Sequence, residues 1–245
     1  MRFLISILFF YLNNALAFEP HIAKYQLSIN GFKIAEEVRT LHKLEDRYFY
    51  TANAKTSGVA ALIKDYSIAA SSAFAINDND VNSIHYQIIE QEDGKFSKNY
   101  MIDVYSKNNT VMSNLTRTQP KILTWKSNGG NIVDPLSLFL ALSYDLKNKS
   151  DQYQFSYQVA DGKSIEQHNY QKTDNHTLDI NGQVLMTIKV SMLDKNDNNI
   201  QAYFSPKHQY LPVLIEHTKQ GRKYQYQLVD LEIEQPSEDQ LQVSF

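Results

Sequence analysis

The chain has 245 residues, a formal charge of −3 and no cysteine. Disulfide frameworks, thiolate metal sites and thiol nucleophiles are thereby excluded, and the evenly spread, mildly acidic charge lacks the basic stripe that neutralises nucleic-acid phosphates. Sixteen Tyr and twelve Phe beside only eight Gly and six Pro point to long strands with one wet face, joined by polar turns.

Residues 1–17 read as a secretory signal peptide. Arg2 gives a short basic start, Phe3 to Leu12 form an apolar run, and Ala15-Leu16-Ala17 is a small-x-small cleavage pattern. The run is too short to cross a hydrocarbon core of about 30 Å as a helix. Export to the bacterial periplasm is expected, with the mature chain starting near Phe18 and no Cys to carry a lipid.

The mature part opens as a hairpin. Tyr25, Leu27 and Ile29 alternate with polar residues before Asn30-Gly31, and Phe32 and Ile34 follow it, continued by Val38–Leu41. Arg47–Lys55 is a third strand with Tyr48, Tyr50 and Ala52 on one face. Val59, Leu62 and Ile63 repeat at helical spacing within Gly58–Lys64. Further strands are expected over Tyr66–Ile76, Ile84–Ile89, Phe96–Tyr105, Val111–Leu115 and Ile122–Trp125. Asp134 followed by Pro135 is a helix start, because the carboxylate accepts first-turn N–H groups and Pro suits the first helical position; the cap is worth about 1 kcal/mol. Leu136, Leu138, Phe139, Leu140, Ala141, Leu142 and Tyr144 make this helix apolar around most of its circumference, as a buried helix requires. A meander follows: Tyr153–Val159, Ser164–Gln171, His176–Ile180, Val184–Leu193, Ile200–Phe204, Leu211–Lys219 and Lys223–Ile233, with turns at Asp161-Gly162, Asn181-Gly182, Asp194–Asn199 and Gln220-Gly221. Residues 18–235 read as one β-rich domain and 236–245 as a polar tail.

Four stretches carry a family resemblance: Gly58-Val59-Ala60-Ala61-Leu62-Ile63-Lys64-Asp65-Tyr66-Ser67, Asp134-Pro135-Leu136-Ser137-Leu138, Val159-Ala160-Asp161-Gly162-Lys163, and Tyr203-Phe204-Ser205-Pro206 followed by Tyr210-Leu211-Pro212-Val213. In that order they resemble an exported bacterial family, domain of unknown function 3108, over about Ala23 to Glu234. The resemblance implies a periplasmic β-rich protein and brings no catalytic residues with it. The architecture it implies is also similar to the open half-barrel lipid and lipoprotein carriers of the periplasm.

Local motifs for catalysis or metal binding fall short. Gly162-Lys163-Ser164 has Tyr157 where a phosphate loop needs its first Gly, and reads as a hairpin turn. Asp194-Lys195-Asn196-Asp197-Asn198-Asn199 lacks the Gly and Glu of a calcium loop. His208 and His217 approach across a hairpin without a third ligand. No Gly-x-Ser-x-Gly elbow is present. Leu241, Val243 and Phe245 alternate like the last strand of an outer-membrane barrel, but Pro236 and the polar Gln235, Ser237 and Asp239 interrupt the ~9–11 residues such a strand needs.

The expected fold is therefore mainly β: a single curved antiparallel sheet or open β-barrel with one central buried helix and a short helical turn. The expected function is non-enzymatic, a carrier or sensor of an apolar envelope component such as a lipid, acyl chain or lipidated peptide. No cofactor, metal, catalytic residue or membrane span is assigned. Candidate ligand-binding residues are Leu62, Tyr66, Trp125, Leu136, Phe139 and Leu140, with Val59 and Phe74 on the same wall. Leu136, Phe139 and Leu140 would bound a cavity, and Leu62 and Trp125 would stand near its mouth. The alternatives are an interaction module in envelope assembly, with an envelope protein as partner, and a hydrolase with unrecognised residues.

Overall fold

The computed structural model describes residues 17–105, 108–115, 121–193 and 199–233. The expected signal peptide up to residue 16, most of the expected turn over Asp194–Asn199 and the expected tail 236–245 lie outside them. Strands β1 (His21–Ile29), β2 (Phe32–Leu44), β3 (Arg47–Thr56), β4 (Tyr66–Asn77), β5 (Asp80–Glu92), β6 (Lys95–Tyr105), β7 (Thr110–Leu115) and β8 (Lys121–Lys126) follow one another as antiparallel neighbours, with helix α1 (Val59–Ile63) between β3 and β4. The second half comprises β9 (Ile132–Val133), helix α2 (Leu138–Asn148), β10 (Gln154–Ala160), β11 (Ile165–Ile180), β12 (Gln183–Met192), β13 (Asn199–Ser205), β14 (Leu211–Lys219) and β15 (Arg222–Ile233). Because β15 pairs back onto β1, all the strands join one sheet with β8 and β9 at its edges. Among the described residues every ladder is antiparallel except β9–β10.

The turns explain the meander. Asn30-Gly31, Asp78-Asn79, Asp93-Gly94, Asn181-Gly182 and Gln220-Gly221 each place two successive residues at positive φ, as type I′ hairpins demand. Strand alternation then sets the faces: His21, Ala23, Tyr25 and Leu27 on β1 and Tyr48, Tyr50, Ala52 and Ala54 on β3 are buried, with more exposed residues between them. Register shifts at Lys24/Tyr25, Ala73/Phe74 and Tyr203/Phe204 add the twist that curls the sheet. The main core draws Leu41, Tyr50, Phe74 and Ile102 from one half of the chain and Phe155, Tyr170, Val190 and Phe204 from the other, around Leu140, Leu142 and Leu146 of α2. The sheet is thus rolled around the helix as an open barrel.

Two contacts hold the roll. The Asp161–Ser164 turn leans on β6 and β7: Ser113 Oγ donates to the Gly162 carbonyl at 2.7 Å, and a Cβ at Gly162 would stand 2.4 Å from the Tyr100 ring. At one end Phe18 is inserted edge-on to Tyr48 (5.4 Å between ring centres) and Phe74 (5.9 Å), beside Tyr144 of α2, and Tyr48 stacks on Phe74.

Some elements differ from expectation. Ser164–Gln171 and His176–Ile180 form one strand, β11, whose register shifts between Thr173 and His176. The two-residue β9 is too short to show a period. Regular helix begins at Leu138 rather than directly after Asp134, with 135–137 forming a turn.

Candidate functional site

Asp134 places α2 inside the barrel. Its carboxylate is fully buried; Oδ1 accepts the backbone N–H groups of Leu136 (2.8 Å) and Ser137 (2.9 Å), and Oδ2 accepts the hydroxyls of Ser72 (2.6 Å, β4), Ser83 (2.6 Å, β5) and Ser137 (2.8 Å). The Asp134 N–H in turn donates to Ser83 Oγ at 2.9 Å. The sequence-predicted cap is therefore also the bolt between the helix and the sheet. At the other end Lys149 bridges Asp145 and Asp80, the Tyr144 hydroxyl donates to Asn79 and the Tyr157 hydroxyl donates to Asp145.

The helix starts part-way along the barrel, and over its first turn lies an open cleft of 270 Å³. Pro135, Leu136 and Phe139 form one side; Ile68, Ala70, Tyr86 and Ile88 of β4 and β5 form another; Ile200, Ile215, His217 and Tyr226 of β13–β15 face them; Glu37, Arg39 and Ala52 complete the wall. The volume is just below the roughly 300–1,000 Å³ common for small-molecule sites, a space for one alkyl segment rather than a whole phospholipid.

An ion pair is set in this apolar wall. Glu37 and Arg39 are two residues apart on β2, hence on one face, and both are buried. Arg39 Nε donates to the Glu37 carboxylate and its guanidinium lies 4.6 Å from the centre of the Tyr25 ring. Burial works against the guanidinium charge, but Glu37, with Tyr50 and Tyr25, outweighs it and raises the group above its ordinary range. Burial pushes the Tyr25 and Tyr50 hydroxyls up, and Tyr226 as well, where Glu37 adds to the effect. Tyr25 donates to the Pro212 carbonyl at 3.0 Å. Burial, then Lys219, lowers His217, and its Nε2 meets no hydrogen-bond partner among the described residues. The site thus offers apolar walls with one internally neutralised ion pair, a neutral imidazole and phenol hydroxyls. That combination suits an amphiphile with a hydrogen-bonding head.

The structure brings only part of the expected set together. Leu136 and Phe139 line the cleft. Tyr66 is half-buried nearby; its hydroxyl bonds Glu90 and it interacts with Tyr226 of the cleft wall, and burial followed by Glu90 raises it. Leu140 faces the closed core instead, at 1% exposure. Leu62 does not line the cleft: it is 87% exposed on α1, as Val59 also is largely, because α1 is an excursion from the ends of β3 and β4 that buries none of its side chains. Trp125 is half-buried on edge strand β8, paired with Val111 and packed on the main core, away from the cleft wall. Phe74 belongs to the Phe18 cluster at the barrel end. Sequence reasoning missed Glu37 and Arg39: the register of the Asn30-Gly31 turn alone would set Glu36 opposite Tyr25, and a shift between Leu27 and Ser28 brings Glu37 there instead.

A second hollow, of 610 Å³, lies by the helix C-terminus among Asp145, Lys149, Tyr157, Asn169 and Tyr170; it is polar, and its charged groups already pair with one another. His208 bonds Ser205 rather than approaching His217 as a ligand pair, and no group of three His, Asp or Glu among the described residues is placed to hold a metal ion. Among the described residues no helix is long and apolar enough to cross a membrane.

Comparison with known proteins gives fold without chemistry. A family model described as "Protein of unknown function (DUF3108)" matches residues 24–225. The chain is similar in structure to a crystal structure of a beta-barrel-like protein of domain of unknown function DUF1849 from Brucella abortus, with a TM-score of 0.59 and 10% identity, covering 89% of this chain and 99% of that one. No curated protein matches the sequence.

Proposed function

This chain belongs to the DUF3108 family, and from that premise we propose that it is a non-catalytic periplasmic carrier or sensor of an apolar envelope component, binding one acyl chain of a lipid or lipidated peptide. The reading rests on one observation, the cleft over the first turn of α2, with Leu136, Phe139, Ile68, Ile88 and Ile215 against the alkyl chain. Arg39, Tyr226 and His217 would meet the polar head, and the prior neutralisation of Arg39 by Glu37 favours a hydrogen-bonding head over a bare anion. The signal-peptide pattern of residues 1–17 supports the compartment.

The test is titration with a fluorescent long-chain fatty acid, together with native mass spectrometry of protein purified from its own periplasm. Saturable binding is expected, weakened roughly ten-fold or more by Ile68→Trp, which fills the cleft. Absence of any bound lipid and of any saturable response would leave the alternative of an envelope-assembly module.

A further inference from the structure

One end of the barrel carries apolar side chains that nothing among the described residues covers. Phe32 (78% exposed), Val59, Leu62, Ile63 (83%) and Phe96 all stand on α1 or at strand starts there. Scattered exposed apolar residues mean little, but these lie on connected segments. The Asn30 N–H donates to the Lys223 carbonyl at 2.8 Å, joining the β14–β15 and β1–β2 turns. Ser57 N–H donates to the Ile34 carbonyl at 3.0 Å, joining β2 to the α1 excursion. Asp93 N–H donates to the Asp65 carbonyl at 2.8 Å and Lys64 pairs with Glu92 at 2.8 Å, joining α1 to the β5–β6 turn.

The excursion is built to protrude. Thr56 Oγ1 donates to the Lys64 carbonyl (3.0 Å) and accepts the Tyr66 N–H (3.1 Å), pinching together the two ends of residues 57–65. Gly58, at φ +60, ψ −138, lets the chain turn out of β3. None of the five residues of α1 is buried.

Charge separates this end from the rest of the molecule. Residues 29–33, 55–66, 92–96 and 219–223 hold seven Lys and Arg against Asp65, Glu92 and Asp93, in a chain of net charge −3. Glu36 and Glu216, a little deeper, pair with Lys33 and Lys223 without reversing that balance. The same end surrounds the cleft: Ile68 lies two residues inside Tyr66, His217 two inside Lys219, and Ile88 four inside Glu92.

We propose that this rim is a membrane-docking surface, its occupant the surface of a phospholipid bilayer bearing anionic headgroups. Leu62, Ile63, Phe32 and Phe96 enter the interface and the lysines meet the headgroups, the combination by which apolar and basic groups together hold a protein to a leaflet. Docking faces the cleft towards the bilayer. The inference does not rest on the cleft being filled.

The test is flotation of the exported protein with vesicles of phosphatidylethanolamine and phosphatidylglycerol, against vesicles of phosphatidylcholine alone. Co-flotation with the anionic vesicles is expected, weakened by salt. The double variant Leu62→Asp, Ile63→Asp should lose roughly ten-fold or more of it, with an unchanged urea midpoint because both side chains are exposed. Wild-type protein that stays behind with every vesicle, or a double variant that floats equally well, overturns the proposal. A dimer in sedimentation that the same substitutions dissociate would overturn it too, making the rim a self-interface. The cleft variant Ile68→Trp should float normally, and the rim variant should still bind fatty acid, so a failed docking surface and a failed binding cleft give different results.

Discussion

Replacing Asp134 tests how the barrel holds its helix. As a helix cap alone, Asp134→Ala would cost about 1 kcal/mol. The structure predicts more. The carboxylate accepts five donors, two backbone N–H groups and three hydroxyls, in a site with no solvent access. Hydrogen bonds to a charged group contribute about 1.5–3 kcal/mol each, and a buried donor left alone costs about 1–3 kcal/mol. Against this, removing the carboxylate relieves its own desolvation, and the freed serine hydroxyls can rotate to bond one another, Ser83 Oγ and Ser137 Oγ already standing 2.9 Å apart. The backbone donors of Leu136 and Ser137 cannot turn away. The net expectation is about 3–5 kcal/mol, most of it from the two backbone donors left buried and alone at about 1–3 kcal/mol each. Asp134→Asn keeps an oxygen for the two backbone donors and offers an NH₂ to hydroxyls that can accept, so about 1–2 kcal/mol is expected. Urea unfolding followed by circular dichroism measures both, provided the transition is two-state. A cost near 1 kcal/mol for Asp134→Ala, or an equal cost for Asn and Ala, would refute the network as the anchor of α2.

Leu140→Ala should cost about 2–5 kcal/mol in the same melts, because the side chain is enclosed by the core; a neutral result would mean α2 is not central. Gly162→Ala should destabilise by about 1–3 kcal/mol, since φ is +88° and the new Cβ would meet the Tyr100 ring at 2.4 Å; wild-type stability would show that the turn does not clasp β6. His217 and His208 are both held below the ordinary imidazole value, by burial first and by Lys219 and Lys207 second. A folded-state value below the unfolded one means the unfolded chain binds protons more readily, so their contribution to stability is present above about pH 6.5 and lost as the pH falls through the lowered values. Imidazole NMR titrations should give midpoints below about 6.5 for both, and a midpoint at or above it would contradict the burial argument.

Local chemistry was legible where it is complete within a few residues. Asn30-Gly31 and Asn181-Gly182 announce type I′ turns, and the alternation of Tyr48, Tyr50 and Ala52 gives the buried face of β3 directly. Periodicity tells which residues share a face but not what that face meets. Val59, Leu62 and Ile63 share one, and it turns to solvent because the pinch at Thr56 carries α1 past the sheet. Asp134 was readable as a cap, yet its partners Ser72 and Ser83 are 62 and 51 residues distant and become neighbours only through the register of β4 and β5. Glu37 and Arg39 look like surface charges on β2 until β1 and β3 fix which side faces inward.

The cleft itself follows from a mismatch of lengths. An α-helix rises 1.5 Å per residue, so the 11 residues of α2 reach about 16 Å. A strand of 12 or 13 residues, such as β4 or β5, extends about 40 Å and, tilted at roughly 40°, still encloses about 30 Å of barrel. With its C-terminal end packed against Phe18, the helix fills about half that height and stops where Asp134 meets Ser72. Long side chains must occupy the rest, and Tyr25, Tyr50, Tyr86 and Tyr226 do so with hydroxyls that need partners. Arg39 brings charge into the same space and requires Glu37 beside it. Such large polar-tipped groups leave gaps between the apolar walls of β4–β5 and β13–β14, and the cleft over Leu136 and Phe139 is one of them. Lengthening α2 by one turn before Leu138 would fill it, at the cost of the Asp134 anchor, so the short helix and the open half of the barrel are one feature of the fold.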